Sequence, residues 1–254
     1  MIPNSNRSQS ETLKNTRETL VIELNTDPVG VDEAGDEKIK QYLRVVARIL
    51  GAELVCEPQT NLSPKYGFSG WLPCKSPEGP FAIHLYIWDD RDPSFVSVDI
   101  SAPTELLKTQ EEALKNHAFQ FFGGKEMIIK TSRDQSDWRD IAPDKEIIRQ
   151  RLALRSAVEK LLQRSSREAQ IEEVRHYSQS LCTDLKMDKI SEPVVVEEDG
   201  LVVGWMHWET SGVITVWTSG QFYCDIYTCK KFNPKIAIKL TRAKIGEVLE
   251  SYNF

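Results

Sequence analysis

The sequence predicts an α+β fold made of two related sandwich units, each an antiparallel sheet with helices on one face. In residues 20–131, short β-rich runs alternate with two segments of helical spacing. A second series of short apolar runs follows in residues 177–228. Because three motifs of the first series recur in the second in the same order, the pattern indicates an internal duplication.

The first half contains elements in the predicted order β-α-β-β-β-β-α-β. Residues 37–50 carry apolar side chains at helical spacing, and Gly51 ends this helix because glycine readily adopts a left-handed backbone. A second helix is predicted over 105–122. The last two of the central strands flank a polar turn, which predicts a hairpin. The predicted strands are 20–25, 52–56, 68–72, 81–88, 95–100 and 125–131.

The second half begins after a polar connector and is predicted to open with a long helix over 144–174, which is rich in Arg, Glu, Leu and Ala. Pro234 stands in the first turn of a last predicted helix, where its missing N–H costs nothing. The predicted strands are 177–185, 194–197, 201–208, 213–217 and 222–228. We therefore expect a disordered lead-in over 1–19, a first unit over 20–132, and a long helix plus a shortened second unit over 133–254.

Composition excludes several classes of function. The net charge is −6 and the pI near 5.4, with no basic patch interleaved with aromatics of the kind that binds nucleic acid. No apolar run approaches the ~18 residues of a membrane span, and the polar N-terminus lacks the apolar core of a signal peptide. The five cysteines form no CxxC pair. These features predict a cytoplasmic protein without nucleic-acid, membrane or metal partners.

The internal repeat is carried by a Gly-Trp dipeptide, a strand that ends in Trp, and a following strand that contains Asp. In each half the third motif then leads into a helix. Amphipathic hairpins resemble one another, but the shared order of Gly-Trp, Trp and Asp favours duplication. The matched segments are 70–72 with 204–206, 83–88 with 212–217, and 95–100 with 222–226.

The stretch 208–237 resembles the processing and active-site segment of the bacterial pyruvoyl-dependent S-adenosylmethionine decarboxylases. That family has a Glu-Ser-His turn, a strand ending in Thr-Trp, a hairpin, an Asp followed by Thr-Cys, and Pro-x-x-Ala at a helix start. Residues 66–70 resemble the family's Tyr-Gly-x-Ser-Gly entry to a strand. The matching positions in the second half are Glu209, Trp217, Asp225, Thr228, Cys229, Pro234 and Ala237.

The resemblance implies a self-generated cofactor. In the family a serine hydroxyl attacks the preceding carbonyl, and elimination then leaves a pyruvoyl group that serves as an electron sink for decarboxylation. By this resemblance Glu209, Thr210, Ser211 and Cys229 are the candidate catalytic residues, with Cys229 as proton donor. Trp217 and Asp225 are then the candidate substrate-binding residues.

The sequence also departs from the family pattern. Thr210 stands at the serine position, so elimination there would give a 2-oxobutanoyl group, whereas Ser211 would give pyruvoyl after a one-residue slip in register. Thr215 stands at the histidine position, and a hydroxyl is no base near neutral pH. In the first half residues 78–80 offer no hydroxyl, Tyr86 is matched to the histidine position and Pro103 lies near the cysteine position. That unit is expected to be catalytically silent.

Two functions follow from these observations. The first is a self-processing decarboxylase that acts on S-adenosylmethionine, or on an amino acid such as ornithine or arginine, and feeds polyamine synthesis. The second is a non-catalytic paralogue that keeps the fold and acts as a ligand-binding or regulatory subunit, with a homodimer or paralogue partner. A repurposed domain for a nucleoside-like ligand has only the fold in its favour. His84 and His207 lie in apolar strands and are expected to be structural.

Overall fold

The computed structural model describes most of the first half and the strands and main helix of the second. In the first half, strands β1 to β7 and helices α1 and α2 are described. In the second half, strands β8 to β13 and helix α3 are described. The described residues are 17–30, 33–63, 67–77, 79–89, 92–131, 150–156, 166–187, 189, 191–198, 201–208, 212–218, 222–228, 235–237, 239–240 and 250–253.

The first half forms an antiparallel sheet with two helices on one face, which confirms the α+β class. Its strands lie in the order β2-β4-β5-β6-β1-β7, and β3 also pairs with β4. Alternate strand residues pack against the helices and form the largest core cluster of the described residues. The elements are β1 Arg17–Thr26, α1 Glu33–Ile49, β2 Glu53–Leu54, β3 Gln59–Ser63, β4 Gly67–Ser76, β5 Gly79–Trp88, β6 Ser94–Pro103, α2 Thr104–Phe122 and β7 Glu126–Thr131.

The second half forms its own antiparallel sheet. Its strands lie in the order β13-β8-β12-β11-β10-β9. Helix α3 packs on it through Val174, Tyr177 and Leu181, in a cluster that also holds Met206, Cys224 and Ile226. The elements are β8 Gln150–Ser156, α3 Arg167–Asp184, β9 Val194–Glu198, β10 Leu201–Trp208, β11 Gly212–Thr218, β12 Phe222–Thr228 and β13 Glu250–Asn253.

The two sheets contact each other through the faces that carry no helix. Trp71 of β4 stacks on Trp205 of β10, with ring centroids 4.1 Å apart and planes at 29°. Val55 and Ala82 from the first half, with Leu201 and Val203 from the second, complete this buried cluster. The described elements therefore form helix, sheet, sheet and helix layers.

The Gly-Trp dipeptides have the same role in both halves. A Cβ on Gly70 would lie 3.1 Å from Leu43 Cδ1 of α1, and a Cβ on Gly204 would overlap Val174 Cγ1 of α3. Because neighbouring strand residues point to opposite faces, each glycine admits a helix while the next residue, tryptophan, faces the other sheet.

Several sequence-based predictions of elements were wrong. Part of the helix predicted over 144–174 is strand β8, and the strand predicted over 177–185 belongs to helix α3. The predicted lead-in is too long by three residues, because β1 begins at Arg17. Strands β3 and β13 were not predicted. In the part of the chain that the structure describes, no helix has the length and apolar character needed to cross a membrane.

Candidate functional site

The face of the first sheet that meets the second sheet is polar and buried. Glu23 is 0% exposed, Asp99 3% and His84 5%. We call this surface the polar face, and its residues are Glu23, Ser69, His84, Ser97, Asp99 and Ser101. Residues that flank these positions along each strand pack against the helices instead, as strand alternation requires. Polar side chains are rarely buried without a purpose, so this face is the first candidate site.

The ladder places an imidazole beside a carboxylate on the polar face. His84 of β5 is the direct partner of Asp99 of β6, and Ser97 Oγ donates a hydrogen bond of 2.7 Å to Asp99 Oδ1. Directly opposed residues in an antiparallel pair have Cα atoms about 4.5 to 5.5 Å apart, which is within reach of side-chain interaction. The group has the residue types used for proton transfer.

An aromatic cluster continues the same face beyond Ser69. Tyr86 lies opposite Ser69 in the ladder. Tyr86 and Trp88 stack with ring centroids 5.9 Å apart, and Trp88 contacts Phe95 at 5.4 Å. All three rings are at most 6% exposed. The aromatic side chains therefore bound the polar face at one end, and Trp71, the ladder partner of His84, borders it on the β4 side.

The second sheet brings two strand ends together near the predicted processing turn. Trp208, the last residue of β10, is the partner of Gly212, the first residue of β11. Val213 is the partner of Tyr227, so that Gly212 and Thr228 lie at the same end of the sheet. The predicted catalytic residues Glu209, Thr210, Ser211 and Cys229 lie outside the described residues, and they directly follow or precede these strand ends in sequence.

The predicted substrate-binding positions belong to neighbouring strands. Trp217 in β11 is the partner of Tyr223 in β12 and of Val203 in β10. Asp225 in β12 is the partner of Thr215 in β11 and of Ala153 in β8. The two positions lie two residues apart along the ladder, and their roles remain predictions.

The strand register corrects the match between the two halves. In the first sheet one row runs Val21, Asp99, His84, Trp71 across four strands. The corresponding row of the second sheet is Ala153, Asp225, Thr215, Trp205. When the rows are matched on Trp71 and Trp205, His84 lies at the position of Thr215, whereas the sequence match on Trp88 and Trp217 gave Tyr86. The two matches differ because the hairpins differ in length.

A sequence signal for His84 exists. His84 lies six residues after Glu78, as Thr215 lies six residues after Glu209, so matching the two glutamates gives the register of the ladder. By that register Gly79 corresponds to Thr210, and Pro103 to Cys229. Gly79 has φ +129°, a region that L side chains rarely adopt. The first unit thus lacks both a hydroxyl and a thiol at these positions.

Three of the described cysteines are poor candidates for a reactive thiol, whereas Cys56 is partly exposed. Cys74, Cys182 and Cys224 are all buried. Burial raises the pKa of the Cys74 thiol well above its usual value, which disfavours the reactive thiolate. Within the described part of the chain, no group of three or more His, Cys, Asp or Glu residues is placed to hold a metal ion.

Several solved structures are similar to part of this chain. The adenosylmethionine decarboxylase from Aquifex aeolicus VF5 matches with a TM-score of 0.36 and 11% sequence identity, over 50% of this chain and 99% of that chain. No family model matches the chain, and no curated protein matches it.

Proposed function

We propose that the chain is an S-adenosylmethionine decarboxylase-like protein whose reactive groups lie at one end of the second sheet. The ladder between β11 and β12 carries this proposal, because it brings Gly212 and Thr228 to the same sheet end. Thr210 and Ser211 precede the first of these residues, and Cys229 follows the second. The register thus supports a hydroxyl-bearing turn next to a thiol, which is what the motif resemblance requires.

The topology of the two sheets supports a duplicated origin. In each sheet three consecutive strands are followed by the first and then the last strand of that half. The two orders are β4-β5-β6-β1-β7 and β10-β11-β12-β8-β13. An aspartate and a tryptophan occupy matching register positions in both rows, and a glycine precedes each tryptophan. Two unrelated sheets could share this strand order, but they would have no reason to share an aspartate, a tryptophan and a glycine at matching positions.

Self-processing would use only groups of this chain. The Thr210 hydroxyl adds to the Glu209 carbonyl carbon, the peptide C–N bond breaks, and an ester with a free amine results. Removal of the Cα proton of residue 210 then breaks the Cβ–O bond and releases Glu209 as a carboxylate. Water replaces the resulting imine nitrogen, ammonia leaves, and the second fragment begins with a 2-oxobutanoyl group. The same steps at Ser211 would give a pyruvoyl group.

The ketone would supply an electron sink for decarboxylation of an α-amino acid, with S-adenosylmethionine as the substrate and polyamine synthesis as its use. Cys229 would hold the proton that replaces the lost carboxylate. Asp225 would bind the cationic part of the substrate, because a carboxylate favours a positive charge nearby. Trp217 would offer a flat apolar surface to the rest of the substrate.

Intact-mass analysis of the purified full chain tests this proposal. Cleavage before Thr210 gives fragments of 209 and 45 residues, whereas cleavage before Ser211 gives 210 and 44. The variant Thr210→Ala should abolish the first cleavage, and Thr218→Ala, which changes a hydroxyl elsewhere on the same strand pair, should leave it unchanged. A single uncut species of 29.0 kDa would contradict self-processing.

A specific observation supports a second candidate, the non-catalytic paralogue. Thr215 holds the register position of His84, so the second sheet carries no imidazole in that row. A chain that stays uncut but releases heat on titration with S-adenosylmethionine would be a ligand-binding or regulatory subunit. An uncut chain without heat at millimolar ligand would contradict both candidates.

A further inference from the structure

We infer that His117 is a proton-sensitive switch that loosens helix α1 from helix α2 when the pH falls. His117 lies in α2 and meets α1 through the ring of Tyr42. This switch belongs to the helix layer of the first half, so it is independent of the proposed reactive end of the second sheet. Its support comes from ring packing, from two buried polar atoms and from the charges around them.

Two pairs of residues, each pair four residues apart in its helix, meet where α1 contacts α2. Lys38 and Tyr42 share one face of α1, and His117 and Phe121 share one face of α2, because residues four apart are neighbours on a helix surface. The rings of Tyr42 and His117 have centroids 5.0 Å apart and planes at 9°. The Phe121 ring contacts Tyr42 at 4.8 Å and His117 at 5.9 Å. The imidazole is therefore part of the packing that joins the helices.

The polar atoms of the stacked pair are buried. Tyr42 is 0% exposed, and its Oη and the Nε2 of His117 are both inaccessible to solvent. Among the residues that the structure describes, neither atom has a hydrogen-bond partner. A neutral imidazole has one N–H donor, whereas an imidazolium has two donors and a full charge. Protonation of His117 would therefore bury a charged donor against aromatic side chains, which is unfavourable.

The positions around the stacked pair carry one charge, and it is positive. Among the residues three and four positions from Tyr42 in α1, and from His117 in α2, Lys38 is the only charged one. Its Nζ lies 5.4 Å from the centroid of the Phe121 ring, which contacts both members of the pair. The side chains of β1 and β6 that form the core beneath α2 are apolar. A proton on His117 would thus add a second cation beside Lys38.

The acidic side chains of the two helices have other partners. The described ion pairs within α1 and within α2 are Lys40–Asp36, Arg44–Glu37, Lys108–Glu105, Lys115–Glu111 and Lys115–Glu112. The negative end of a helix dipole stabilises a cation only within the last turn. His117 lies five residues before Phe122, the end of α2, so the helix end does little to stabilise a proton there.

The direction of the switch follows from the pKa of His117. Burial lowers this pKa below its usual value of about 6.5. The closed helix pair therefore favours the neutral ring. This contribution to closure is present above about pH 6.5, the pKa of the solvated ring, and it is lost as the pH falls through and below that value. Thr60 of the edge strand β3 donates a hydrogen bond to Asp36 of α1, so opening of α1 also loosens β3.

Hydrogen exchange of the full chain, measured by mass spectrometry at about pH 7.5 and about pH 5 and corrected for the intrinsic effect of pH, tests the switch. In the wild type the opening constant of α1 should rise several-fold on acidification, with a limit of about tenfold per pH unit for one proton. The opening constant of α3 should rise less. His117→Gln is neutral at both pH values, so its α1 should lack this rise. His176→Gln, at an exposed position of α3, is the matched control and should follow the wild type.

Two results would overturn the switch. One is an equal rise for α1 in the wild type and in His117→Gln, and the other is a wild type in which α1 opens no more than α3. If thermal melting shows that His117→Gln does not fold, His117→Phe replaces it, because phenylalanine keeps a ring against Tyr42 and takes up no proton. A titration of the His117 ring by NMR should give a pKa below about 6.5, and a higher pKa would also overturn the switch. Chain cleavage tests the proposed function separately, so each can fail without the other.

Discussion

The central rows of the two sheets differ at the position next to the aspartate. The first sheet has Asp99 and His84 where the second has Asp225 and Thr215. Counted back five residues from His84 and from Thr215, Gly79 of the first half corresponds in sequence to Thr210 of the second. Neither half therefore carries an imidazole in its row together with a hydroxyl five residues earlier.

The comparison also separates structural from chemical positions. The glycines and tryptophans of both halves serve packing, because each glycine admits a helix and the two tryptophans stack on each other. The two residues that differ, His84 and Thr215, are the direct ladder partners of the two tryptophans. The shared glycines and tryptophans thus maintain the sandwich, and the halves diverge at the strand position beside each tryptophan.

The largest effect on stability should come from the contact that joins the sheets. Trp71 is 0% exposed and Trp205 2%. Trp71→Ala should lower the free energy of unfolding by about 3 to 5 kcal/mol, through lost burial and the cavity that remains. Denaturant unfolding measures this, and a double-mutant cycle with Trp205→Ala should give a coupling of about 1 kcal/mol. Additive effects would mean that the rings do not stabilise each other.

Alanine substitution at Gly204 should destabilise the protein more than alanine substitution at Gly70. A Cβ at position 204 overlaps Val174 Cγ1, whereas at position 70 its nearest atom is Leu43 Cδ1 at 3.1 Å. Gly204→Ala should cost about 3 kcal/mol of unfolding free energy and Gly70→Ala about 1 kcal/mol. The urea concentrations at the unfolding midpoints of the two variants show how tightly each helix packs on its sheet. Equal midpoints would contradict the closer approach of α3.

The hydrogen bond within the polar face should have a smaller effect. Ser97→Ala removes the donor that lies 2.7 Å from Asp99 Oδ1 and leaves a buried carboxylate with one donor fewer. The expected loss is about 1 to 2 kcal/mol of unfolding free energy. Thr109→Ala is a matched control, because that exposed hydroxyl bonds only to carbonyls of its own helix. Similar losses in both variants would count against a special role for Ser97.

The smallest predicted effect is a pH dependence of the melting temperature, caused by His117 in helix α2 of the first half. Burial lowers the pKa of His117, whose ring stacks on Tyr42 at 5.0 Å. The folded state therefore favours the neutral imidazole of His117. The resulting contribution to the free energy of unfolding is present above the unfolded pKa of about 6.5, and it is lost as the pH falls through and below that value. Between about pH 7.5 and about pH 5, the melting temperature of the wild type should fall further than that of His117→Gln. His176→Gln, at an exposed position of α3, should follow the wild type.

Most strands and both helices of the first half could be predicted because periodicity and burial agree there. In the second half the short run Gln150–Ser156 contains good helix formers, yet pairing with β12 and β13 makes it a strand. Residues 177–185 have mixed composition, but Tyr177, Leu181 and Leu185 are buried at a spacing of four. This spacing of four residues identifies a helix only when it is known that the side chains pack against the second sheet.

The candidate site was only partly accessible from the sequence. The motif around Glu209 and Cys229 is local, so it could be found by inspection. The placement of His84 beside Asp99 on a buried face depends on strand register and on packing between sheets, which no local pattern contains. Ser97 and Asp99 share a face because they are two residues apart in a predicted strand, but the burial of that face follows only from the packing of the two sheets.

The most direct measurement of the central claim is covalent attachment of S-adenosylmethionine to the processed chain. The purified protein is incubated with S-adenosylmethionine and borohydride and then weighed by intact-mass spectrometry. We predict an adduct on the fragment that begins at Thr210 or Ser211. An uncut chain without an adduct would contradict the claim that the second sheet carries a reactive end.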